Sequence, residues 1–170
     1  MLKRSIIMLV VLGAFQFVSA QNMTNEKIEN ILTKVTDSVR GYPGYWEVLY
    51  KERQLLCLTD ESHNRMRIIS PIIETEAIQK ELLLDILTAN FHAALDVRYA
   101  ISQGFLWSVY IHPLKELEDD QLESAVNQVV NAADNFGTTF SSTEMIFGGG
   151  AASKKDSNVP TSGKPVMRKL

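Results

Sequence analysis

RMRIISPI, Arg65–Ile72, decides how the rest of the chain is read. Successive side chains of an extended strand point to opposite faces, so Arg65, Arg67 and Ile69 share one face while Met66, Ile68 and Ser70 share the other. Pro71 brings no backbone donor and is expected to close the strand. Met66 and Ile68 want a helical layer over them, which leaves both arginines on the side away from it. Two uses for the guanidiniums fit. They pair with acids of a neighbouring strand, such as Glu47 or Glu52, or they extend over a free sheet face and grip carboxylates or carbonyls of a bound chain, their stems lying on apolar neighbours.

Working outward towards the N-terminus, DESHN (60–64) is a polar turn, Leu55–Thr59 a strand, YWEVLYK (45–51) an aromatic and β-branched strand, and GYPG (41–44) a turn. Ahead of them Thr24 or Asn25 caps a first helix in which Ile28, Ile31, Leu32, Val35 and Val39 recur at helical spacing, with Gly41 as its stop. Towards the C-terminus, Thr75 is expected to cap a second helix, EAIQKELLLDILTANFHAAL, apolar on more than one face and therefore in need of more than one neighbour, or of deep burial. DVRYAIS, the turn Gln103-Gly104, and FLWSVYIH form a hairpin that Pro113 ends. Glu118, Asp119 and Asp120 suit the positive end of a last helix, whose buried stripe is Leu122, Val126, Val129, Val130 and Ala133. The order α-β-β-β-α-β-β-α implies the α+β class: an antiparallel five-stranded sheet with three helices packed on it.

Neither long strand alternates as a sheet with one wet side would. YWEVLYK offers Trp46, Val48 and Tyr50 to one face yet Tyr45 and Leu49 to the other. In FLWSVYIH, Phe105, Trp107, Val109 and Ile111 oppose Leu106, Tyr110 and His112. A sheet face that stays apolar outside the helical layer is expected to be covered by a second subunit or a protein ligand. Scattered exposed aromatics are the plainer alternative.

The ends of the chain differ from its body. Lys3 and Arg4 precede an apolar run from Ile6 to Val18 and the small residues Ser19 and Ala20, the form of a cleaved secretory signal peptide over 1–20. The run is too short for a stable membrane span, so a soluble protein in the periplasm or outside the cell is expected. Residues 21–147 hold 10 Lys or Arg against 19 Asp or Glu, whereas 148–170 hold five basic residues and one acid. An acidic body argues against nucleic acid as a partner, because phosphates demand a basic face. The 148–170 segment has little to bury and is expected to be a disordered basic tail, either a linker or an arm that meets the acidic body or a partner.

Little in the sequence points to catalysis. His63, His92 and His112 form no local metal or triad pattern, no serine sits in a nucleophile elbow, and nothing calls for a cofactor or metal. The single cysteine, Cys57, lies between leucines; it reads as a buried thiol or as a link between subunits.

With these stretches in place, Trp46–Phe140 resembles the type III secretion chaperone-like family, the α+β fold of class I secretion chaperones and of YbjN-type bacterial proteins. The resemblance rests on NRMRIISPI, LLLDILTANFHAALDVRYAI and GFLWSVYIHPLKEL with the helix that follows. It implies a non-enzymatic, commonly homodimeric protein that holds an extended segment of a client polypeptide on apolar and sheet-edge surfaces. The candidate partner-binding residues are Arg65, Arg67, Trp107 and Tyr110, with Leu83 and Phe91 of the second helix as the dimer seam. The rival expectations are a small ligand-binding or hydrolase domain that gathers His63, His92, His112 and carboxylates, and a secreted inhibitor whose basic tail makes the contacts.

Overall fold

The computed structural model describes residues 22–143. Helix α1 (Asn25–Val35) is followed by strands β1 (Ser38–Tyr42), β2 (Tyr45–Tyr50), β3 (Arg53–Asp60) and β4 (Arg65–Glu74). A short 3-10 turn, helix α2 (Lys80–His92), strands β5 (Arg98–Ser102) and β6 (Phe105–His112) and helix α3 (Asp119–Asp134) complete the chain. The six strands form one antiparallel sheet in the order β1-β2-β3-β4-β6-β5.

The α+β class and the three helices stand as expected, but the sheet has six strands rather than five. The extra one is β1, which the apolar spacing of Val35 and Val39 had assigned to the first helix. Thr36 ends that helix: its backbone N–H and its hydroxyl both bond the Leu32 carbonyl, at 3.0 and 2.7 Å, and its own backbone is extended. Gly41 is not a helix stop either. It lies opposite Trp46 with φ 145°, and a Cβ there would collide with the Tyr45 carbonyl oxygen, so glycine is what lets β1 pair closely with β2. Pro71 does not close β4, which runs on to Glu74; the proline sits where the register with β6 shifts, a bulge that tolerates its missing donor. Thr75 does not cap α2; its hydroxyl donates to the Gly104 carbonyl, and Gln79 precedes the helix without a side-chain cap.

α1 and α3 cover one face of the sheet. Across that face Trp46, Cys57, Ile68 and Tyr110 stand in register on β2, β3, β4 and β6, and all are buried. Against them α3 buries Leu122, Val126, Val129 and Val130, and α1 buries Ile28 and Leu32. Burying a large aliphatic side chain contributes about 1.5–3 kcal/mol, so this layer is the main source of stability. Two ion pairs tie its edges: Lys27 to Asp119 at 2.6 Å, and Arg53 to Asp134 at 2.6 Å. Arg53 also donates to the Ala133 carbonyl at 3.2 Å, placing a cation at the carbonyl end of α3, where the helix dipole favours it.

Helix α2 packs against β5, and its Ile86 and Ala89 join the same core. The Asn90 side chain donates to the Tyr99 carbonyl at 3.1 Å and accepts from the Tyr99 N–H at 2.7 Å, so it occupies the backbone of that edge strand. No described helix is long and apolar enough to cross a membrane.

Candidate functional site

The other face of the sheet carries no helix. Its rows follow from the register: Arg40, Glu47, Leu56, Ile69, Val109 and Arg98 in one, and Tyr42, Tyr45, Leu58, Arg67 and Ile111 in the next. The twist of the sheet makes this face concave, and it encloses a trough of about 1060 Å³. The floor is apolar, with Leu56 and Trp107 nearly buried, and its flanks are open: Tyr42 is 65% exposed and Ile111 58%. Nothing among the described residues covers it.

The sequence-predicted residues divide between two faces. Arg67 lies in the trough and makes no ion pair or hydrogen bond among the described residues, so the expected pairing with Glu47 is not formed. Glu47 instead accepts from the Tyr45 hydroxyl at 3.3 Å. Arg65 shares the face of Arg67 by alternation, beside the β3–β4 turn, and donates to the Asn64 carbonyl at 2.9 Å. Trp107 lines the trough; its indole N–H donates to the Ser102 carbonyl at 2.9 Å, which ties the ring to β5. Tyr110 is elsewhere. It faces the helical side, in register with Ile68, because an odd step along β6 separates it from Trp107 and the residues that share its face.

The two residues expected at a dimer seam differ in exposure. Leu83 is half-buried against the core, while Phe91 is 81% exposed and joins Leu84 and Leu87, both about two-thirds exposed, in a stripe at helical spacing. The second apolar face of α2 is therefore open, not deep core.

The histidines do not gather. His63 belongs to the β3–β4 turn, where its ring Nδ1 lies 2.7 Å from Asp60 and 3.0 Å from Ser62. His92 ends α2 with a buried Nδ1 that has no partner among the described residues. His112 alone reaches a recess, of about 450 Å³, where it meets Asp96, Asp120, Ser124 and Gln128. The sequence reading missed this recess, although Asp120, Ser124 and Gln128 recur at four-residue helical spacing and so form a polar stripe on α3. Burial and the neighbouring Asp96 carboxylate raise the Tyr110 phenol above the ordinary tyrosine value. No group of three or more potential metal ligands occurs among the described residues. Cys57 is fully buried, so no link between subunits runs through it; burial pushes its thiol up to about 12. The signal-peptide and basic-tail expectations fall outside the described residues.

No protein-family model matches the chain, and no curated protein matches it. Solved structures do. A chain of the ExsC–ExsE complex aligns at TM-score 0.51 and 12% identity, over 65% of this chain and 90% of that one. A chain from the structure of the Yersinia pestis type III secretion chaperone SycH with a stable fragment of YscM2 aligns at TM-score 0.51 and 15% identity, over 66% of this chain and 98% of that one. The HopA1–SchA chaperone–effector complex also matches, at TM-score 0.46. The likeness lies in the fold: this chain has a type III secretion chaperone-like fold.

Proposed function

We propose that this protein is a non-enzymatic, chaperone-like adaptor that holds an extended segment of another polypeptide in the open trough of its sheet. One observation carries the reading: an unpaired guanidinium, Arg67, stands among Leu58, Ile69 and Ile111 on a concave face that the chain's described helices leave bare. An extended peptide satisfies such a face twice over. Its apolar side chains cover the floor, and its carboxylates or carbonyls meet Arg67 and Arg40. Both solved structures that share the fold at this level are complexes of two proteins, ExsC with ExsE and the chaperone SycH with a fragment of YscM2, which supports the same use here.

The α2 stripe of Leu84, Leu87 and Phe91 is the surface we assign to self-association, since three exposed apolar side chains on one helical line suit a second copy. The signal-like leader at 1–20 supports a place in the periplasm or outside the cell, so the partner is met after export. The test is whether partner binding follows Arg67→Glu while a charge change at Glu61, on the β3–β4 turn, leaves it alone.

The hydrolase alternative is less well supported. His112 Nδ1 lies 2.7 Å from the Pro113 carbonyl, and Ser124, the serine in the same recess, accepts from the Gln128 amide rather than bonding the His112 ring.

A further inference from the structure

The recess between β5–β6 and the first half of α3 is lined mainly from the helical side of the sheet and shares only Ile111 with the trough. Tyr110, only 6% exposed, lines it, and its hydroxyl makes no hydrogen bond among the described residues. The ring is packed while the hydroxyl, which is not itself buried, opens into the recess and is free to take a partner there. Gln128, 4% exposed, is spent on holding the wall: its amide donates to Asp96 Oδ2 and to Ser124 Oγ, each at 3.1 Å, and its carbonyl accepts from the Asp96 N–H at 3.3 Å.

What remains towards the space is rich in acceptors. Asp96 keeps one carboxylate oxygen free, and Asp120, whose Oδ1 accepts from the Gln121 N–H, keeps the other. His112 directs Nδ1 at the Pro113 carbonyl, an acceptor, so in the neutral ring Nε2 is the acceptor. The Tyr110 and His112 rings are nearly parallel, 5° apart with centroids at 6.1 Å, and offer a flat π surface. Two carboxylates face one guanidinium, that of Arg98, which is already turned onto the carbonyls of Leu95 and Val97.

Acceptors, a π face and excess negative charge are what a desolvated ammonium or guanidinium group needs. We propose that this recess seats a single lysine or arginine side chain of a polypeptide. The nearest source is the chain itself. Ser142 is pinned beside the recess, its N–H on the Ala93 carbonyl at 3.3 Å and its hydroxyl on the Ala94 carbonyl at 2.8 Å, two residues before Asp96. Lys154, Lys155, Lys164, Arg168 and Lys169 follow it in sequence. At roughly 3.5 Å per residue the connection from Thr143 to Lys154 is long enough to return, and a tethered side chain acts at an effective concentration on the order of millimolar. A lysine or arginine of a separate polypeptide is the other source of the same chemistry.

The test titrates the full chain with Nα-acetyl-lysine methylamide while nitrogen-edited NMR follows the amides of Asp96, Tyr110 and Ser124. The proposal expects saturable shifts there, about tenfold weaker binding in Asp120→Asn, and weaker binding in Tyr110→Phe, which keeps the ring and its packing. It expects none with the side-chain-acetylated, neutral probe. If the chain's own basic residues fill the recess, a variant with Lys154, Lys155, Lys164, Arg168 and Lys169 all changed to Gln binds the probe more tightly than the parent does. Equal affinity assigns the recess to a separate polypeptide and keeps the cation site. No saturable shift in either chain, or an equal response to Nα-acetyl-glutamate methylamide, overturns the proposal.

Discussion

Arg67 on β4 and Ile111 on β6 stand directly opposite each other on the face of the sheet that carries no helix. The guanidinium has no ionic partner among the described residues, and its neighbour across the ladder is 58% exposed. A strand pair that sets a free cation beside bare aliphatic surface, at the middle of a six-stranded sheet, is arranged to meet something outside itself.

Arg67→Glu therefore reverses the charge at the centre of the trough without touching the core, because the side chain is exposed and unpaired. Partner affinity is expected to fall about tenfold or more, the scale of one charge-assisted hydrogen bond, with the thermal midpoint nearly unchanged. Binding measured by calorimetry alongside a melting curve separates the two effects.

Phe91→Asp places a charge in the exposed stripe of α2. The parent chain is expected to sediment as a dimer at micromolar concentration and the variant as a monomer. A monomeric parent would remove α2 from the account and leave the trough untouched.

Two glycines separate backbone freedom from crowding. Gly104, with φ 78° in the β5–β6 turn, has open space where a Cβ would go, so Gly104→Ala costs about 1 kcal/mol for the conformation alone. Gly41→Ala adds a collision with the β2 backbone and is expected to cost clearly more. Urea denaturation of both variants gives the order.

Asp60 supplies a pH signature. Its carboxyl is held below the usual carboxylate range by hydrogen bonds from the Ser62 hydroxyl and then from the His63 ring and N–H. A carboxyl depressed on folding contributes stability above its unfolded pKa and loses it as pH falls through the folded value. Asp60→Asn is therefore expected to lower stability at neutral pH, with the difference closing in acid.

Cys57 reports on the core. With its thiol fully buried and its pKa pushed up to about 12, it is expected to resist iodoacetamide at pH 8 until the protein unfolds.

Much of this was legible in the chain because the strands that matter carry residues on both faces. RMRIISPI sorted Met66 and Ile68 inward and the arginines outward correctly, and the Gln103-Gly104 turn was plain. β1 was hidden for a physical reason: SVRGY is an edge strand with only Val39 half-buried, so it has almost no apolar pattern to display, and Val39 falls in helical step with Val35. Tyr110 was grouped with Trp107 by its aromatic chemistry, although an odd separation puts the two on opposite faces. The apolar surplus of α2 was visible, but not its direction, because composition alone does not tell deep core from an open stripe. The recess escaped notice because β5, β6 and α3 bring its walls together only in the folded chain.

The most direct test of the trough is photo-crosslinking in the native compartment from a reactive side chain introduced at Leu58 or Ile111, compared with one at Glu61 on the β3–β4 turn. The account predicts one and the same polypeptide attached at both trough positions, absent at the turn and reduced in Arg67→Glu. Adducts at the turn alone, or trough positions that label nothing while the partner still binds, would contradict it.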